Sequence, residues 1–201
     1  MKAARAYYLI SMVAGSLVLC ASATAQSVPA SEKLLEAIEE QRNNDVIEMV
    51  NKHGRAVVNV RGYSGATPLT TAMRKRATLY VNFLLQNGAD PDLAERNGDT
   101  ALIIAARLGH LEGISAMLSF KAAVDAPNRQ GETALIIAAQ NRNVAIVRRL
   151  LEAGASPLRT DSASGLSARD YAARDRRSGE IVRLLDSVKK KPVFVAGPII
   201  Q

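Results

Sequence analysis

The chain of 201 residues has one cysteine, Cys20, no tryptophan and two histidines, His53 and His110. A single cysteine closes no disulfide within the chain, so no covalent staple holds the fold. Zinc sites draw about four Cys, His or carboxylate ligands at short spacing, and nothing of that kind is assembled here. Nucleophilic catalysis needs a nucleophile beside an oriented base, and neither histidine has such a neighbour in the local sequence. The acidic run Asp90-Pro91-Asp92 with Glu95 lacks the ligand spacing of a calcium loop and reads as a hairpin turn. No phosphate loop occurs either, so neither an enzyme nor a cofactor is expected. Aromatic residues are only 4% of the chain, so a core must be built from alanine and branched aliphatics.

What the chain has is repetition. Gly65, Gly98 and Gly131 each stand two residues before a threonine, Thr67, Thr100 and Thr133, at a period of 33, and Gly165 follows with Ser167 in the threonine's place. Leu84-Leu85, Met117-Leu118 and Leu150-Leu151 keep the same register, with Leu184-Leu185 one residue late. Two independent landmarks in one register identify a repeat protein.

Each repeat can be built from local chemistry. The pair Asn97-Gly98 supplies the positive-φ residues of a tight turn, and Thr100 then caps a helix by accepting a backbone N–H. Thr67-Pro68 gives the same start with proline at the first helical position. Leu102, Ala105 and Ala106 lie along that helix, Gly109 breaks it, and Ile114, Met117 and Leu118 form the apolar stripe of a second helix. Helices this short are unstable alone, so the repeats must stack and stability must come from nearest-neighbour interfaces.

With these pieces in place, the chain resembles the ankyrin repeat family. The match rests on Gly65-Ala66-Thr67-Pro68-Leu69, on Gly98-Asp99-Thr100-Ala101-Leu102 with Gly109-His110 and Glu112, and on Gly131-Glu132-Thr133-Ala134-Leu135. The helix-end strings Asn87-Gly88-Ala89-Asp90-Pro91 and Ala153-Gly154-Ala155-Ser156-Pro157 complete it. The resemblance implies an all-α solenoid of about five repeats, helix-turn-helix pairs joined by β-hairpin loops, over 31–63, 64–96, 97–129, 130–163 and 164–188. The outer two are caps. The first is degenerate, with Val46, Ile47 and Val50 as its second-helix stripe and His53-Gly54 at that helix's end.

Departures from the family pattern carry expectations of their own. The family's histidine after Thr-Pro-Leu is Thr70, Ile103 and Ile136 here, so those interfaces should depend on apolar packing. Lys121 stands where Gly88 and Gly154 stand, which places a lysine in a left-handed conformation costing about 1 kcal/mol and should make the third repeat's junction soft. Asp170 in Ser167-Ala168-Arg169-Asp170 is similar to a variant of closing repeats. The resemblance also gives His110, after Gly109, a structural role in the interhelix turn.

The N-terminus has the pattern of a secretory signal. Lys2 and Arg5 precede an apolar run from Tyr7 to Cys20, and Ala23-Thr24-Ala25 offers a small-x-small cleavage site before Gln26. Residues 1–25 are therefore expected to be a signal peptide and 26–30 a linker. Leu19 before Cys20 fits a lipidation site poorly, so cleavage after Ala25 is the expectation. The run is too short to span a bilayer comfortably, and no transmembrane segment is expected in the mature chain. The compartment expected is a bacterial periplasm, with release outside the cell as an alternative. Without Lys2 and Arg5 the chain has 24 basic and 19 acidic residues, a net charge of +5. In a compartment without nucleic acid, that charge points to an acidic protein or to anionic headgroups. The tail 189–201, Lys189-Lys190-Lys191-Pro192 followed by Val193 to Ile200, leaves the repeat pattern; a strap and a disordered end both fit it.

Function is then expected at a surface. In the ankyrin family, contacts gather around the turn glycine and just after the paired small residues. The resemblance thus names Tyr63, Ser64 and Ala66; Arg96, Asn97 and Asp99; Arg129, Gln130 and Glu132; and Arg74, Lys75, Arg107, Leu108, Gln140, Asn141 and Arg174. Tyr63 is the aromatic anchor candidate. The reading that follows is a monomeric, non-enzymatic adaptor that binds a protein partner. Two alternatives stand beside it: an immunity-type neutraliser of an exported toxic enzyme, and an envelope-organising protein contacting membrane or cell wall.

Overall fold

The computed structural model describes residues 29–189. The expected signal segment with Cys20, the start of the 26–30 linker and the tail from Lys190 onward lie outside the described residues. Eleven helices occur among the described residues, and ten of them form five pairs: α1 (Ala30–Glu39) with α2 (Asn43–His53), α4 (Pro68–Arg74) with α5 (Thr78–Gln86), α6 (Ala101–Leu108) with α7 (Leu111–Ser119), α8 (Ala134–Gln140) with α9 (Val144–Glu152), and α10 (Ala168–Arg174) with α11 (Gly179–Lys189). A short helix, α3 (Arg55–Val58), follows α2, and a 3-10 turn over Arg176–Ser178 precedes α11.

The helix starts are set by the repeated hydroxyls. Thr67, Thr100, Thr133 and Ser167 accept the backbone N–H of Thr70, Ile103, Ile136 and Asp170, respectively. Such a cap is worth about 1 kcal/mol. Two of them are reciprocal: Thr70 Oγ1 accepts the Thr67 N–H, and Asp170 Oδ2 accepts the Ser167 N–H, both at 2.9 Å. Thr70 therefore works on its own helix start, and Asp170 is a capping residue of the last unit.

The loops close with one left-handed residue instead of two. Gly98 has φ +85° and Asn97 does not share the positive region, which corrects the two-residue reading of that turn. Gly98 N–H donates to Glu95 O and Glu95 N–H to Asp99 O, a type I turn followed by a glycine bulge that needs only Gly98 at positive φ. Proximity makes a second demand on the glycine: a Cβ there would lie 2.7 Å from Arg129 N of the next loop. The hairpins are too short for a ladder, and no strand forms among the described residues beyond a single bridge between Thr160 and Ser167.

Stacking follows the expected logic. The first helices α1, α4, α6, α8 and α10 pack in one row, and the second helices α5, α7, α9 and α11 in another. Ala105, Ala106, Ala138 and Ala139 are wholly buried, and so are Leu84, Met117, Leu150 and Leu185. The small side chains let adjacent first helices approach, and each fully buried aliphatic contributes about 1.5–3 kcal/mol. Ile103 and Ile136, where the family's histidine stands, are buried as well, in line with an interface that depends on apolar contacts. The described helices run from 4 to 11 residues, too short to persist unstacked.

Polar contacts lock the register. Asn59, Asp92 and Asp125, 33 residues apart, accept the backbone N–H groups of Asp90, Ala123 and Ser156 at 2.7, 2.8 and 2.9 Å. Each bond ties one unit to the next. Lys121 has φ +60°, as its alignment with Gly88 and Gly154 requires. Gln41, Arg76 and Arg142 are also left-handed, at the ends of first helices where the third unit uses Gly109. In the first unit Val46 and Val50 are buried but Ile47 is 45% exposed, so the stripe of α2 is narrower than expected. The principal neighbours of α2 are α1 and α3, and Ile47 is left outside the core that they share.

Candidate recognition surface

The ends of the first helices and the loop tips form one face, and its charges are arranged in two ways. Arg74, at the end of α4, holds Glu95 with two bonds, Nε at 3.3 Å and Nη2 at 2.6 Å from its carboxylate oxygens. Arg107, the equivalent position on α6, lies 3.2 Å from Asp99 Oδ1 and 3.5 Å from Glu132 Oε2. The amide of Asn128 donates to both of those carboxylates, at 2.9 and 2.8 Å. These two arginines are therefore neutralised within the protein. Lys75 and Arg174 are exposed and have no ion pair among the described residues.

Next to the Arg74–Glu95 pair is a recess of about 470 Å³ lined by Glu39, Ser64, Ala66, Thr71, Arg74, Lys75 and Glu95. The sequence reading named four of these, Ser64, Ala66, Arg74 and Lys75, from separate positions, and the fold brings them together. Tyr63, at the neighbouring tip, is 72% exposed, and its N–H donates to Glu32 Oε1 at 2.5 Å.

The remaining candidates spread along the face. Arg96, Asn97, Arg129 and Gln130 are exposed at consecutive tips, which are joined by Arg129 N–H to Asn97 O at 3.1 Å and Ser162 N–H to Gln130 O at 2.7 Å. Gln140 and Asn141 are exposed at the end of α8, and the Asn141 amide donates to Arg107 O at 3.2 Å. Leu108 is half-buried, as is Glu132. Asp99 differs from the rest: it is 3% exposed and accepts from Asn97, Arg107 and Asn128. It supports the surface from beneath instead of facing outward.

Sequence reasoning missed the residues that hold this face together. Glu95, Asn128 and Asp161 recur at the period of 33, one per loop, and that recurrence was the available signal. Asp161 is buried and accepts the Tyr171 hydroxyl together with the N–H groups of Ser164 and Gly165. The Tyr171 bond, followed by those from the backbone, holds its carboxyl below the usual range despite the opposing effect of burial.

His110 is buried, with Nε2 3.2 Å from Thr78 Oγ1 and Nδ1 3.2 Å from Glu112. It joins α5 to α7, the structural role expected of it. His53 closes α2, where a basic group complements the helix dipole. Among the described residues no group of three or more His, Cys, Asp or Glu is placed to hold a metal ion, and no helix is long and apolar enough to cross a membrane.

Comparison with known proteins agrees with this architecture. The family model for ankyrin repeats (3 copies) matches residues 80–161 and 127–191. A 73-residue stretch is 34% identical to a mouse protein, ankyrin repeat domain-containing protein 63, covering 33% of this chain and 18% of that relative. The chain thus spans less than a fifth of the relative's length. Period, hydroxyl caps, glycine turns, stacked helix pairs and the family match converge: the chain belongs to the ankyrin repeat family and carries a protein–protein interaction module.

Proposed function

We propose that the protein is an exported, periplasmic adaptor without catalysis of its own, which binds a protein partner through the face formed by first-helix ends and loop tips. The observation that carries this reading is the recess beside Lys75, where an unpaired cation and a fixed Arg74–Glu95 pair border one concavity together with Ser64, next in sequence to the exposed Tyr63. Export is supported by the sequence before Gln26, and the binding mode by the family. The face is polar and preformed, so a partner that docks on it need not order it first.

Affinity capture from the periplasmic fraction tests the reading. The bait is the wild-type chain, with a Lys75→Glu, Gln140→Ala, Arg174→Glu variant as control. A protein retained by the wild type and lost from the variant, at unchanged melting temperature, is the expected result. Retention by both, or failure of the chain to reach the periplasm, overturns it.

A further inference from the structure

Acids and bases are treated differently at the loop tips. The carboxylates that support the tips are occupied: Glu32 by Tyr63 N–H, Glu95 by Arg74, Asp99 and Glu132 by Asn128 and Arg107, and Asp161 by Tyr171 and two backbone N–H groups. The arginines at the tips are not. Arg96 and Arg129 are exposed, and their guanidinium groups have no carboxylate or hydrogen-bond partner among the described residues. Both are nonetheless held in place at their roots. The aliphatic stem of Arg96 lies across Gly65, where a Cβ would come within 2.4 Å of its Cγ, and the backbone of Arg129 is bonded to Asn97 of the preceding tip.

From this arrangement we infer that Arg96 and Arg129 form a carboxylate-reading edge, whose ligand is an extended acidic segment of a protein partner. This rests on the protein-binding reading above and deepens it, because it moves the acid-binding charge from the first-helix arginines to the tips. Arg74 and Arg107 already hold internal carboxylates, so drawing them to a partner would first break those bonds. The tip arginines lose only water. Their spacing also defines the ligand. Stacked helices lie about 8–10 Å apart, so equivalent residues of adjacent units stand at about that separation. A segment in the extended polyproline II form advances about 3.1 Å per residue with three residues per turn, so carboxylates three residues apart share one face about 9 Å apart and meet successive arginines. Guanidinium forks are suited to bidentate carboxylate binding.

Fluorescence anisotropy with labelled ten-residue peptides tests the edge on the full-length chain. One peptide carries glutamate at every third position in a glycine-serine background, a second carries the same glutamates consecutively, and a third replaces them with lysine. The spaced peptide should bind at least tenfold more tightly than the lysine peptide and severalfold more tightly than the clustered one. Arg96→Gln with Arg129→Gln keeps most of the Arg96 stem over Gly65 and should remove that advantage. Lys33→Gln with Lys52→Gln, equal in charge but on the first unit's helices, should leave it intact. Equal loss from both double variants, no preference for the spaced peptide, or binding only to vesicles of phosphatidylglycerol overturns the assignment. If the captured partner survives the tip variant but is lost from the Lys75 triple variant, the tip assignment fails while the adaptor reading stands.

Discussion

Arg107 Nη2 lies 3.2 Å from Asp99 Oδ1, and the two ends of this pair live in different media: Arg107 is half exposed, whereas Asp99 is 4% exposed in its side chain. The pair is therefore asymmetric in what its loss does. Arg107→Ala removes a surface partner and should cost about 0.2–1 kcal/mol. Asp99→Ala leaves one N–H of the buried Asn128 amide without an acceptor, the other keeping Glu132, and a buried donor without its acceptor costs about 1–3 kcal/mol. Urea titration should show the larger loss for Asp99→Ala, by about 1 kcal/mol or more. Equal losses would mean that the carboxylate acts only through its charge on Arg107.

Lys121 offers a gain. It is held at φ +60°, and its side chain is exposed with no hydrogen bond or ion pair among the described residues. Lys121→Gly should therefore stabilise the protein by several tenths of a kcal/mol, up to about 1. Arg142 has a similar φ of +57° but reaches Asp175 at 3.1 Å, so Arg142→Gly trades relief of backbone strain against a lost bridge and should gain less. Thermal or urea melts of the two variants rank them; a destabilised Lys121→Gly would show that the lysine stem contributes packing that outweighs the strain.

The pH dependence of the last loop follows from Asp161. Its carboxyl is held below its ordinary value, first by the Tyr171 hydroxyl and then by the backbone. A depressed carboxyl stabilises the fold above the unfolded-state value near 4 and loses that contribution as pH falls through the folded value. Tyr171→Phe removes the leading cause. The variant should be less stable than wild type at pH 7, and the gap should close as pH drops below about 4. Circular dichroism melts across pH 2–7 measure it, and a gap that stays constant over this range would assign the effect to packing of the ring.

How much of this was legible in the sequence depends on the distance between partners. The Thr67, Thr100, Thr133 and Ser167 caps act over three residues, and the turn glycines over fewer, so local chemistry identified them. Lys121 was legible because its repeat-mates are glycines. The Arg74–Glu95 pair joins residues 21 apart within one unit and the Arg107–Glu132 pair residues 25 apart in successive units, and no local rule announces either. Asn59, Asp92 and Asp125 recur at the same period as the glycines, yet their bonds run 31 residues ahead, and stacking alone brings those atoms together. Ile47 failed for the opposite reason. A helical stripe marks a face, but whether α2 has a neighbour on that face is a property of the whole stack.

The pairing of Arg74 changes how binding at the recess must be probed. Reversing Arg74 and Lys75 together would place a glutamate against Glu95, whose side chain is only 11% exposed, and like charges there would disturb the fold along with the surface. Lys75→Glu alone changes an exposed, unpaired cation and should leave the melting temperature within about 2 °C, since isolated surface substitutions stay within about 0.5 kcal/mol. If the partner is acidic, the variant should associate more slowly, with dissociation changed less, and raising salt should narrow the difference from wild type. Arg149→Glu, on the second helix α9, is the matched control for net charge. Stopped-flow or surface-plasmon measurements with the captured partner decide the point. Equal slowing by both variants would reduce the effect to overall charge, and no slowing by Lys75→Glu would remove the recess from the binding face.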